Sequence, residues 1–199
     1  STGDYRQEFA DIANWSNNFT AGIGAANWQS VAINSSGTIP DGVKTTKSSA
    51  TFVSSTAGGL QKGTDNMVFL STGSDNANSC AVDLLLDFTG RNAGTLSFDW
   101  SETNNSTGAR PQELSVYTST DGTVFTELPG ALIIVTNNIP ASGSKTLLVL
   151  PASFSGSSTA IIRFYDFTGV GGSSGSDAKI AIDNVAVTST GASGSPPVI

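Results

Sequence analysis

In the stretch TLSFDWSE apolar and polar residues alternate from Thr95 to Ser101. That period of two restricts the fold more than any other feature of the chain. Successive side chains of an extended strand point to opposite faces, so Leu96, Phe98 and Trp100 face one way and Ser97, Asp99 and Ser101 the other. A helix would scatter the same residues around its axis. CAVDLLLDFTG repeats the rhythm, with Leu84, Leu86 and Phe88 on one side and Asp83, Leu85 and Asp87 on the other. ELSVYTSTDGTVFTELP sets two alternating runs around Asp121-Gly122, a dipeptide suited to a tight β-turn. ATFVSS, NMVFLST, ALIIV, TLLVLP, AIIRFYDF and KIAIDNVAVT bring the total to about nine or ten short runs with turn signals between them. Helical periodicity is confined to a weak turn or two near Asp4 to Asn14, and nothing reads as a strand–helix–strand crossover.

The fold expected is therefore all-β: an antiparallel two-sheet β-sandwich, most simply a jelly roll. Its inner faces would hold Phe69, Leu84, Leu86, Leu96, Phe98, Trp100, Leu114, Val116, Ile162 and Phe164. The 199 residues suffice for one sizeable core. We read residues 1–190 as a single module and residues 191–199 as a Gly/Ser/Pro linker tail leading to a neighbouring domain of a longer chain.

Composition excludes several classes of function. The net charge of −7 disfavours nucleic acid, which is held by Lys and Arg, and leaves cations and neutral ligands such as glycans. No apolar run reaches the roughly 18 residues that span a bilayer, so no membrane insertion is expected. The chain has no His, which removes imidazole as a base, acid or zinc ligand. Its one cysteine, Cys80, cannot form an internal disulfide and is expected to pack as a small apolar residue. A polar surface with few charges suits a secreted or cell-surface module.

DLLLDFTGRNAGTLSFDW, LSVYTSTDGTVFTELP and IIRFYDF followed by SDAKIAIDNVAVT occur in an order that resembles secreted bacterial jelly-roll modules, MAM-like or concanavalin-like, found beside catalytic domains in multidomain exoproteins. The resemblance covers roughly residues 80 to 190 and extends weakly to YRQEFADIANW. It implies non-catalytic glycan binding or surface attachment, often with a structural Ca²⁺. The acidic first strand and closing Asp of such modules correspond to Glu8 and Asp183.

Two sites are expected. In a jelly roll the first and last strands lie side by side, which would bring Glu8 to Asp183. Two close carboxylates repel unless a cation neutralises them, and Ca²⁺ takes oxygens in irregular geometry. Asp177, Asn184 and the polar loop GGSSGSD would supply further ligands. The alternative is that Asp183 caps a β-bulge through neighbouring amides. The second site is an exposed face. By alternation Asp99, Glu113, Tyr117, Arg163 and Tyr165 point away from the core residues of their strands, and two rings with carboxylates and a guanidinium suit a carbohydrate. An ordinary sheet face with cross-strand ion pairs would look the same in sequence. Trp15 and Trp28, in polar loop-like surroundings, are further candidate platforms.

Catalysis is not expected. Glycoside hydrolysis needs two facing carboxylates. Asp99 and Glu102, three apart, fall on opposite faces of a regular strand, and a pairing of Asp99 with Glu113 would need neighbouring strands. The reading is a secreted, non-catalytic module that binds polysaccharide, with a structural or adhesive domain lacking a glycan site as the alternative and a polysaccharide-active enzyme third.

Overall fold

The computed structural model describes residues 4–31, 51–53, 58–72, 79–168 and 175–191. The run 32–50, the first part of the loop GGSSGSD and the tail 192–199 lie outside the described residues.

Among the described residues twelve strands form two antiparallel sheets of six. The first sheet holds β1 (Tyr5–Gln7), β3 (Gly59–Lys62), β4 (Met67–Leu70), β6 (Arg91–Thr103), β10 (Ser142–Val149) and β12 (Lys179–Gly191). The second holds β2 (Trp28–Ser30), β5 (Cys80–Leu86), β7 (Pro111–Ser119), β8 (Thr126–Glu127), β9 (Ile133–Thr136) and β11 (Ala160–Thr168). In the first, β10, β6, β12, β4 and β3 lie in that order, and β1 continues the line of β4 along the flank of β12. In the second the order is β2, β5, β11, β7 and β8, with β9 beside β8 on the outer flank of β7.

The expected jelly-roll sandwich is thus the fold observed. The strands beyond those read from sequence, β1, β2 and β3, are short, and three or four residues leave too few positions for a period of two to register. Tyr5–Gln7, where the sequence suggests a helical turn, is strand β1, and only Ile12–Asn14 forms a single 3₁₀ turn. Thr51 to Val53 form no strand.

Between the sheets lies one core. Nearly all the expected residues are in it, among them Phe69, Leu84, Leu96, Phe98, Leu114, Val116, Ile162 and Phe164, with Leu86 and Trp100 half-buried at its margin. Phe98 from one sheet meets Phe164 from the other edge to face at 5.2 Å, and Trp28 lies 5.8 Å from Phe164. The N-terminal segment closes one side through Phe9, Trp15 and Phe19. Trp15 and Trp28, 1% and 2% exposed, are core residues, not platforms. Their indole N–H groups are used internally: Trp15 donates to the Ile23 carbonyl and Trp28 to the Tyr5 hydroxyl.

Candidate functional site

Glu8 follows β1 directly, and β1 pairs with β12 so that Gln7 sits opposite Val185. The first and last described strands do therefore lie side by side. Burial raises the pKa of Asp183, the Asn184 N–H opposes that rise, and Asp99, Glu8 and Asp65 add to it. Yet the expected ligand set does not assemble. Glu8 pairs with Arg6 at 2.8 Å on the surface. Asp177, just ahead of β12, pairs with Arg110 at 3.6 Å. Six residues of extended chain separate it from Asp183, roughly 20 Å. Among the described residues no three acidic or cysteine side chains gather closely enough to hold a metal ion.

Asp183 instead faces Asp99 across the β6–β12 ladder, two like charges directly opposite. A bulge follows Asp183, with Asn184 in the left-handed region at φ 50°. Its backbone N–H donates to Asp183 Oδ1 at 2.6 Å, and its side-chain amide donates to Asp99 at 2.9 Å and to Asp183 at 3.2 Å. The Ser144 hydroxyl also donates to Asp99. The bulge-capping alternative describes this arrangement. The Asn184 amide spreads partial positive charge over both carboxylates, the role assigned to a cation in the sequence reading.

The five residues expected on one exposed face divide. Glu113, Tyr117, Arg163 and Tyr165 do lie on one face, the outer side of β7 and β11, because those strands are neighbours with Arg163 opposite Tyr117. Asp99 is in the other sheet. Nor is the face open: Tyr117 is 3% exposed and Tyr165 1%. They form a second apolar cluster with Ala81, Phe125 and Phe167. Arg163 bonds Asp83 through two parallel contacts, 2.7 and 2.9 Å, and its guanidinium lies 3.6 Å over the Phe125 ring. Burial raises the pKa of Asp83 and the guanidinium opposes that rise. Burial, with Glu127 adding to it, pushes Tyr117 up to about 12. Alternation separates core from non-core faces but carries no information about what covers the non-core face.

An accessible groove lies elsewhere, and sequence reading missed it. Pro111–Ser119 and Thr126–Glu127 do not meet in the tight turn expected at Asp121-Gly122. Their register, Thr118 opposite Thr126, leaves a loop of intervening residues. Asp121 organises it by accepting the N–H groups of Thr123 and Val124 and the Ser119 hydroxyl. These bonds hold its carboxyl far below the usual range. Between this loop and the segment after β10 runs a groove of about 450 Å³. Val124, Val149 and Pro151 form apolar walls, and Thr126, Ser153 and Glu127 contribute hydroxyls and a carboxylate. The groove joins segments far apart in sequence at the open side of the sandwich, so only the long Asp121 loop hints at it in the sequence.

No protein-family model matches this sequence, and no curated protein matches it. Among solved structures the chain is similar to the K1 cleaved adhesin domain of Lys-gingipain from Porphyromonas gingivalis W83, at 16% identity and a TM-score of 0.49 over 94% of this chain and 99% of that one. It is similar to a C-terminal family 22 carbohydrate-binding module from Clostridium thermocellum at 12% identity and 0.34, over 96% and 97% of the two chains. A carbohydrate-binding module specific for non-crystalline cellulose aligns at 10% identity and 0.37, over 64% of this chain and 78% of that one.

Proposed function

We propose that this chain is a non-catalytic, extracellular β-sandwich module that binds a neutral polysaccharide and holds a neighbouring domain near its substrate. The observation that carries the reading is the groove of about 450 Å³ beside the Asp121 loop. Its size lies within the usual range for small-ligand sites, roughly 300–1,000 Å³. Apolar walls suit the C–H faces of a sugar, and Thr126, Ser153 and Glu127 suit its hydroxyls. An acidic chain repels uronate-rich polymers, which favours a neutral one. The two carboxylates that line the groove do not make a catalytic pair: Asp121 is committed to its loop, which leaves Glu127 without a second carboxylate. A general acid needs a pKa near working pH, and Asp121 is held far below it.

Retardation in gels containing neutral polysaccharides tests this. Glu127→Ala and Val149→Ser should lose retardation while Tyr117→Phe keeps it. Unchanged migration of both groove variants would put any ligand elsewhere. Release of reducing ends from the same polymers would make the chain an enzyme.

The structural or adhesive reading is favoured by a different observation. Leu132 and Ile134 at β9 and Leu147 and Val149 on β10 expose apolar side chains on two edge strands. Failure of every polysaccharide to retard the chain would favour it.

A further inference from the structure

At one end of the core, Asp166 of β11 points between the sheets with no exposed surface. One of its oxygens, Oδ2, accepts three donors: the Ser71 N–H at 2.8 Å, the Gln112 side-chain amide at 2.7 Å and the Cys80 thiol at 3.7 Å. The other, Oδ1, is buried with no donor among the described residues, and so is Oε1 of the equally buried Gln112. Both orphans are acceptors, and they belong to two groups already joined by the Gln112–Asp166 bond. A buried polar atom without a partner costs about 1–3 kcal/mol, so two on side chains already bonded to each other call for one shared donor.

We propose that Asp166 is a neutral carboxylic acid in the native protein, its proton on Oδ1 donated to Gln112 Oε1. One proton then satisfies both orphans. The amide N–H answers it on Oδ2, closing a reciprocal acid–amide ring between β7 and β11. Among the described residues no Lys or Arg pairs with Asp166. Among the described residues the titratable groups around it are the Cys80 thiol of β5, the Tyr165 hydroxyl on the other face of β11, and Asp177, which faces Arg110. Burial raises the Asp166 pKa well above its ordinary value and Asp177 adds to the rise, in agreement with the geometry. The ring ties three elements of the second sheet to Ser71, which follows β4 of the first. It makes this end of the sandwich sensitive to alkali.

The sign follows from linkage. A carboxyl that holds its proton in the folded state and releases it at about pH 3.9 when unfolded contributes stability in full below that pH. The contribution falls as pH rises toward the folded-state pKa. Asp166→Asn is the isostere of the neutral acid, with an N–H where the acid has O–H. Urea unfolding of the wild type and Asp166→Asn from pH 4 to 9 should give near-equal midpoints at pH 4. Above that, the variant should gain on the wild type as pH rises. A variant that loses ground as pH rises would show an ionised Asp166, balanced by water or a cation, and overturn the proposal. Infrared spectra give a second readout independent of the variant's folding. A band of a hydrogen-bonded carboxylic acid should persist in the wild type at pH 7, and its absence would also overturn the proposal.

Discussion

Arg163 and Asp83 lie opposite each other in the β5–β11 ladder, bonded through both guanidinium contacts on a face where water is scarce. Removing one partner of such a pair leaves a desolvated charge behind, which costs about 3–5 kcal/mol. Arg163→Ala should therefore lower the urea midpoint by an amount of that order. Arg163→Lys should recover little of it, because a point charge reproduces neither the fork nor the stacking over Phe125. A lysine variant indistinguishable from the wild type would mean that the planar geometry contributes nothing. At this scale the sequence is half legible. Alternation puts Glu113, Tyr117, Arg163 and Tyr165 on one face because it depends only on strand geometry. It does not show that Asp83 answers Arg163, which depends on register between strands about 80 residues apart. Nor does it show that the two Tyr rings are covered.

Among the elements, β10 is an exposed edge with devices that limit pairing with another chain. Its ladder to β6 shifts register between Lys145 and Leu148. Leu147 there sits at φ 55° with 71% exposure. The bulge is held by the Leu147 N–H on the Ser97 hydroxyl. Lys145 reaches across to the carbonyls of Gly130 and Leu132. Bulges and lysines are the usual protection of an edge strand. The left-handed region costs a leucine about 1–2 kcal/mol, and glycine escapes most of that at some cost in chain entropy. Leu147→Gly should thus raise stability by about 0.5–1 kcal/mol in urea unfolding. A destabilised variant would mean that the exposed side chain makes an energetically important contact. The Asp121 loop behaves in the opposite way with pH. Its carboxyl is depressed by the Val124 and Thr123 N–H groups, so its contribution is present above about pH 3.9 and lost as pH falls below it. Asp121→Asn should flatten the acid side of the stability profile, and an unaltered profile would separate the loop from acid unfolding. Elements of seven or more residues with clean alternation are legible in sequence. The strands β1, β2 and β3 are not, since three or four residues with a single large apolar side chain each carry no alternation of their own.

For the whole molecule, the two sheets share a core in which Trp28 is a hub, touching Phe9 and Phe164 and bonded to Tyr5. Trp28→Ala should cost about 3–5 kcal/mol with an unchanged urea m-value, the result expected if the sandwich unfolds as one unit. A second transition would divide it. The overall architecture is legible because alternation and turn signals are properties of the chain itself. The groove is not, because its walls come from segments that only the closed sandwich brings together. One consequence of the strand order concerns synthesis. The last strand, β12, lies between β6 and β4 and also holds β1, across a separation as wide as Tyr5 to Val187. A ribosome must have passed Gly191 before half the sandwich has its central member. Until Lys179 to Gly191 emerge, β4 and β6 lack that partner, and their unpaired edges leave the nascent chain open to aggregation.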